Sequence, residues 1–180
     1  MTTLEDKSWA KYYAKEKIIA IDPGKAGGIA VYSVPDGAII ALTSMLETPT
    51  DLFNFLKRYC KNSRVYMELV HGLPKMSGSG MFNFGKGFGH LEMCFISLGI
   101  PLTEVRPQEW QKTLGTGTKG TRSTNEWKTR LKEMAQKRWT TVERDFGLKN
   151  KGQWLSVSDA LLILEYARLK ERYEIRLRKS

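Results

Sequence analysis

The feature that most constrains this chain is a short apolar run ending in an acid and a turn: Ile18-Ile19-Ala20-Ile21 leads straight into Asp22-Pro23-Gly24. Four apolar residues closed by a turn signal read as a buried strand. Its last residue is then a carboxylate at the end of a buried element. Such a charge is costly to bury unless it is paired or holds a metal ion. The pattern occurs twice more. Glu68 lies between Met67 and Leu69 in the strand expected over Val65 to Leu69, and Asp159 precedes Ala160-Leu161-Leu162-Ile163-Leu164 at the start of a helix. Three acids so placed point to a metal cluster. Each also has a plainer reading. Asp22 suits a turn. Glu68 suits a solvent-facing position or a pair with an arginine such as Arg106. Asp159 stands at capping-box distance from Ser156 in a helix expected to start near that serine.

The elements around these acids set the architecture. Gly27 to Val34 and Ala38 to Met45 read as two further strands, joined by Pro35-Asp36-Gly37, which gives an antiparallel meander with the first. A helix starts at Thr48-Pro49-Thr50-Asp51, with Thr48 as its cap. A loop rich in Gly, Ser and Met runs from His71 to Gly80, and a helix from Phe84 to Leu98 stops at Gly99. Leu102 to Val105 is a fifth strand, and Pro107 to Leu114 one or two helical turns. Ser123-Thr124-Asn125-Glu126 is a capping box opening another helix. The expected fold is α/β, a mixed five-stranded sheet flanked by helices. Its 180 residues suit one domain, read as residues 17–180 behind a flexible N-terminal arm over residues 1–16.

Composition narrows the chemistry. There are two histidines and no Cys/His group at zinc spacing, so a nucleophilic triad or zinc site has little to draw on. Metal ligands would be carboxylates, which favours magnesium or manganese. Cys60 and Cys94 sit among apolar residues and read as reduced core cysteines. No apolar stretch of membrane-spanning length and no secretory signal are visible, so a cytoplasmic setting is expected, with an organelle left open. Between Arg106 and Lys151 stand twelve bases and five acids, a net +7 of the chain's +10. That concentration suits a polyanion such as nucleic acid.

With these residues in place, the chain resembles the RuvC family of Holliday junction resolvases, within the RNase H-like superfamily. The resemblance rests on Ile21-Asp22-Pro23-Gly24, Met67-Glu68, Val105-Arg106-Pro107-Gln108-Glu109-Trp110 and Ser158-Asp159-Ala160-Leu161-Leu162-Ile163, and spans roughly Lys17 to Ala167. The run Met81-Phe82-Asn83-Phe84-Gly85-Lys86-Gly87-Phe88-Gly89 is most similar to phage and chloroplast members. The resemblance implies a homodimer that binds four-way DNA junctions, with no small-molecule cofactor. It implies two Mg2+ ions per site, replaceable by Mn2+, and paired nicks. Asp22 would bridge the ions, with Glu68 and Asp159 each holding mainly one. The family's fourth ligand precedes the last acid by three to five residues, where this chain has Trp154, Leu155 and Ser156. Ser156 would be a weak or water-mediated ligand or simply a helix cap, and Asp145 or Glu143 could substitute from the preceding loop.

The expected DNA contacts are Met81, Phe82 and Phe84, as wedges or stacking platforms at the junction centre. Lys86, Lys112, Lys119 and Arg122 are the phosphate candidates. Phe88, four residues after Phe84, reads as core. Other readings remain: a junction-binding protein with weak or no catalysis, a nuclease acting on another nucleic acid such as an RNA–DNA hybrid, and an actin-like ATPase suggested by Asp22-Pro23-Gly24 before Gly27-Gly28. The last normally needs two such domains.

Overall fold

Strand β1 (Lys17–Asp22) is central, and everything else is arranged around it. β2 (Gly28–Ser33) pairs with it antiparallel, and β3 (Ala38–Ser44) continues the meander beyond β2. β4 (Ser63–Glu68) lies on the other side of β1 in parallel, and β5 (Leu102–Val105) extends that side, also in parallel. The sheet order is β3-β2-β1-β4-β5. This is the mixed five-stranded sheet expected from the sequence. The computed structural model describes residues 17–70 and 77–179, with side chains as far as residue 172. The expected arm over residues 1–16 and residues 71–76 of the expected loop lie outside the described residues.

Alternation along the strands splits the core in two. Ile19, Ile21, Ile29, Val31, Val65 and Met67 face helices α1 (Pro49–Tyr59) and α2 (Gly78–Leu98). Ile18, Ala20, Ala30, Tyr32 and Tyr66 face the other layer. That layer holds α3 (Pro107–Leu114), α4 (Thr124–Arg138), α5 (Val142–Phe146), α6 (Lys151–Leu155) and α7 (Ser158–Lys179). Leu161 to Leu164 of α7 are completely buried, which explains their unbroken apolar run. A helix buried all round lacks a polar stripe.

Local signals set the helix ends. Thr48 caps α1 through the Asp51 N–H, and Ser123 and Glu126 form the full capping box of α4. α2 ends at Gly99 in the left-handed conformation. Both cysteines are free. Among the described residues no helix is long and apolar enough to cross a membrane.

Three expectations need correction. α2 begins at Gly78, six residues before Phe84, because Ser77 accepts the Gly80 N–H as an N-cap. The glycines over residues 78–89 mask a helix that its apolar contacts stabilise. The short helices α5 and α6 were not foreseen, since five residues carry too little periodicity to register. Ser156 does not open the last helix. It terminates α6, its hydroxyl donates to the Gln153 carbonyl, and α7 starts at Ser158.

Candidate metal centre

The geometry of the sheet brings the three acids together. Ile18 and Ala20 face the α7 layer, so Asp22, two residues further along the same strand, faces it too. Tyr66 faces the same way, and so therefore does Glu68 at the end of β4. β1 and β4 are parallel neighbours, with Ile21 opposite Met67, so the two carboxylates leave the sheet side by side. Asp159 is the second residue of α7, whose buried face lies on this layer. The arrangement uses two strand ends and one helix start, all on one side.

All three acids are raised above their ordinary range, and Glu68 and Asp159 feel the charge of Asp22. Burial pushes Glu68 up to about 8, and repulsion from Asp22 and Asp159 adds to it. Burial pushes Asp159 up to about 7, again with Asp22 repelling it. Asp22 is raised by burial, with the Gly24 N–H bond at 3.2 Å and the charge of Lys128 working against the rise. Each acid alone would be a poor candidate for ionisation, and each raises the cost for the others. A divalent cation would relieve all three. Among the described residues no group of three or more His, Cys, Asp or Glu side chains is arranged so that it could hold a metal ion as it stands. The donor set nevertheless fits a hard cation, since it is all oxygen and carries surplus negative charge.

Two supporting residues escaped the sequence reading. Trp110, completely buried in α3, donates its indole N–H to Glu68 at 2.9 Å. Arg106, the partner considered for Glu68, instead precedes α3 as its exposed N-cap residue. An aromatic one turn into a short helix gives no sequence sign that it serves a carboxylate. Lys128, exposed on α4, is the cation that lowers both Asp22 and Asp159. It stood in the sequence only as one of twelve bases. Its position after Trp127, which packs into the core beside α7, is the signal that would have placed it.

Two glycines set the walls. A Cβ on Gly27 would lie 2.3 Å from the Asp22 carbonyl oxygen and 2.6 Å from its Cγ. A Cβ on Gly28 would lie 2.5 Å from the Ser156 carbonyl. The first lets the Asp22 carboxylate fold back over the turn. The second lets the α6–α7 junction lie directly on β2, which brings α7 down to the acids.

The expected DNA-contact residues fall on two separate surfaces. Met81 and Phe82 are exposed in the first turns of α2, with Phe82 71% accessible. Phe84 is half-buried and stacks obliquely on Phe88, with ring centroids 6.3 Å apart. Lys86 is exposed on the same helix, and Lys112 is exposed on α3. Lys119 and Arg122 are exposed in the loop before α4, where Lys119 reaches Thr124 and Arg122 reaches the Thr118 carbonyl.

A mixed sheet in this order, with acids at the ends of adjacent parallel strands and at the start of the closing helix, defines an RNase H-like fold. More narrowly, the fold is RuvC-like. One similar structure is that of Thermus thermophilus RuvC in complex with a Holliday junction substrate: 14% identity, TM-score 0.56, covering 85% of this chain and 96% of that one. Another is T. thermophilus RuvC, at 16% identity and TM-score 0.52, covering 86% and 96%. No protein-family model and no curated protein sequence matches the chain.

Proposed function

We propose that the chain is a structure-selective DNA endonuclease that resolves four-way junctions by metal-dependent phosphodiester cleavage. The observation that carries this reading is the buried group Asp22, Glu68 and Asp159 on one side of a RuvC-like sheet, with Glu68 raised to about 8 by burial and, after it, by the charges of the two aspartates. The cofactor is two divalent ions, Mg2+ with Mn2+ as a substitute. When bound, such ions supply an activated water and stabilise the leaving oxygen. Asp22, Glu68 and Asp159 hold them. Trp110 orients Glu68, and Lys128 offsets the charge of the two aspartates. Lys112, Lys119 and Arg122 contact phosphates, Lys86 adds another contact, and Met81 and Phe82 meet the open centre of the junction.

The partner set includes a second copy of the chain. On α2, Met93 and Ile96 are 58% and 72% exposed, and Gly85 and Gly89 share their side of the helix. Nothing lies within 4 Å of where a Cβ on either glycine would stand. Mid-helix glycines cost about 1 kcal/mol each relative to alanine, so close approach of another helix is their natural use.

A second reading is favoured by one specific observation. The segment that supplies the family's fourth ligand offers no carboxylate or imidazole, only Ser156, whose hydroxyl donates to the Gln153 carbonyl at 2.8 Å. A protein with three acidic ligands would bind junctions and cut them slowly or not at all.

The experiment is a nicking assay on synthetic immobile four-way junctions of varied central sequence, with and without Mg2+ or Mn2+, against linear duplex and RNA–DNA hybrid. Metal-dependent paired nicks on junctions, lost in Asp22→Asn while binding persists, support the nuclease. Tight binding without cutting under either metal supports the second reading.

A further inference from the structure

The two acids of the sheet are held to each other by backbone. β1 and β4 are parallel neighbours with Ile21 opposite Met67, so Asp22 and Glu68 each stand one residue past a fixed pair. Asp159 stands outside the sheet, on α7, and its distance from Glu68 depends on where that helix settles. A path of side chains joins the two. Tyr166 follows Asp159 by seven residues, close to two full turns, and so lies on the same face of α7. It is buried, and its hydroxyl donates to Glu109 Oε1 in the first turn of α3. The next residue of α3 is Trp110, whose indole N–H donates to Glu68 Oε1 at 2.9 Å. The path runs from the helix that carries Asp159, through α3, to the carboxylate at the end of β4.

We propose that Tyr166, acting through Glu109, is a positioning residue of the metal centre: it seats α3 so that Trp110 meets Glu68, and it ties Glu68 to the helix that supplies Asp159. The proposal rests on the reading of the three acids as a metal site. Three observations carry it. First, α3 is eight residues long, and a helix that short is held by its contacts rather than by its own stability. Arg138 fastens its last turn by donating to the Leu114 carbonyl at 2.9 Å. Arg106, at its start, gives no side-chain cap, so the Glu109 contact supplies the fastening beside Trp110. Second, α7 addresses Glu109 twice. The buried Tyr166 hydroxyl needs an acceptor, and Lys170, one turn further along, lies 3.8 Å from the same Glu109 oxygen. Third, the relay joins two of the elements that carry the acids. Magnesium demands near-ideal geometry, so a shift of one ligand-bearing element against another weakens its binding.

The test uses the full chain and two readouts: the rise in Tm that Mg2+ or Mn2+ produces without DNA, and junction nicking as a function of metal concentration. Tyr166→Phe keeps the ring and removes the hydroxyl. It is expected to raise the metal concentration for half-maximal nicking about fivefold and to shrink the metal-induced rise in Tm. Glu109→Ala changes an exposed residue, so it tests the same link even where the tyrosine variant fails to fold, and it should match Tyr166→Phe. Glu109→Gln keeps an acceptor for the hydroxyl and should retain most of the parent's metal response. In a Trp110→Phe background, Tyr166→Phe is expected to add less than about twofold, because the link it serves is already broken. A Tm lowered equally with and without metal, at an unchanged half-saturation, makes Tyr166 a packing residue and overturns the proposal. So does a full, additive effect on top of Trp110→Phe. A parent protein whose Tm responds to neither metal removes the metal site, and the proposal falls with it. A metal response that depends on Tyr166 in a chain that never nicks a junction removes the nuclease reading and upholds the relay.

Discussion

Trp110 and Glu68 are joined by a 2.9 Å hydrogen bond across 42 residues of sequence, with the indole completely buried and the carboxylate at the edge of the site. The bond works against burial. It favours the ionised carboxylate that burial and the neighbouring acids disfavour. It also holds Glu68 Oε1 toward α3.

Replacing Trp110 by phenylalanine keeps most of the ring and removes the donor. Glu68 then rises above about 8, because the interaction lost is one that lowers it. The rising limb of a pH profile for metal-dependent nicking is expected to move to higher pH, with more metal needed for half-maximal rate. Stability is expected to fall by about 1–3 kcal/mol, since a buried acceptor loses its partner. An unchanged pH profile in a folded variant would remove Trp110 from the site.

The raised acids also make the metal-free protein sensitive to pH. Glu68 and Asp159 have folded values of about 8 and about 7, against ordinary values of 4.5 and 3.8, and Asp22 is raised as well. Between the ordinary and raised values the folded chain therefore binds more protons than the unfolded one. By linkage, stability then decreases as pH rises through that window, by up to about 1.4 kcal/mol per pH unit for each group, and levels off above pH 8. Thermal melting without metal should show a lower Tm at pH 8 than at pH 5. Adding Mg2+ at pH 8 should restore much of the difference. A flat profile, or one rising toward pH 8, would mean that the acids are not buried together.

Much of this was legible because buried strands and their acids leave marks in sequence. Ile18 to Asp22 announces an apolar element that stops at a charge, and the same holds for Glu68 and Asp159. Period-two alternation then puts Asp22 and Glu68 on one sheet face once the strands are known to be parallel neighbours. The start of α2 was hidden because Gly78, Gly80, Gly85, Gly87 and Gly89 lower helix propensity, and tertiary contacts through Phe88 and Leu91 override it. Trp110 and Lys128 were invisible as site residues because their roles depend on which helix packs where. Ser156 was misplaced because serine before an apolar run looks like an N-cap even when it ends the preceding helix.

Gly27 offers a sharper probe of the acid than a change to the acid itself. A methyl at this position would lie 2.3 Å from the Asp22 carbonyl oxygen and 2.7 Å from Oδ2, so either the carboxylate or the turn must move. Gly24 meets Asp22 Oδ1 only at 3.5 Å, an ordinary contact. Gly27→Ala is expected to lower nicking at least about tenfold and to cost about 1–3 kcal/mol of stability. Gly24→Ala should have little effect on either. Equal behaviour of the two variants in parallel assays and melts would show that the carboxylate position is not set by this turn.

Phe82 separates substrate recognition from folding. It is 71% exposed, so truncating it removes almost no core packing, and Tm should stay within about 1–2 °C of the parent. Its position in the first turns of α2, beside Met81, puts an apolar ring where a junction's unstacked bases can meet it. Base–aromatic contacts are worth about 1–3 kcal/mol each, so Phe82→Ala should weaken junction processing about fivefold to a hundredfold. Binding to linear duplex, proposed to run through Lys112, Lys119 and Arg122, should change much less and should keep its steep salt dependence. Comparing the two substrates by gel shift and nicking over a range of salt concentrations makes the distinction. Parallel losses on junction and duplex would place Phe82 in general DNA contact. No loss on either would move the junction-opening role to another part of the surface.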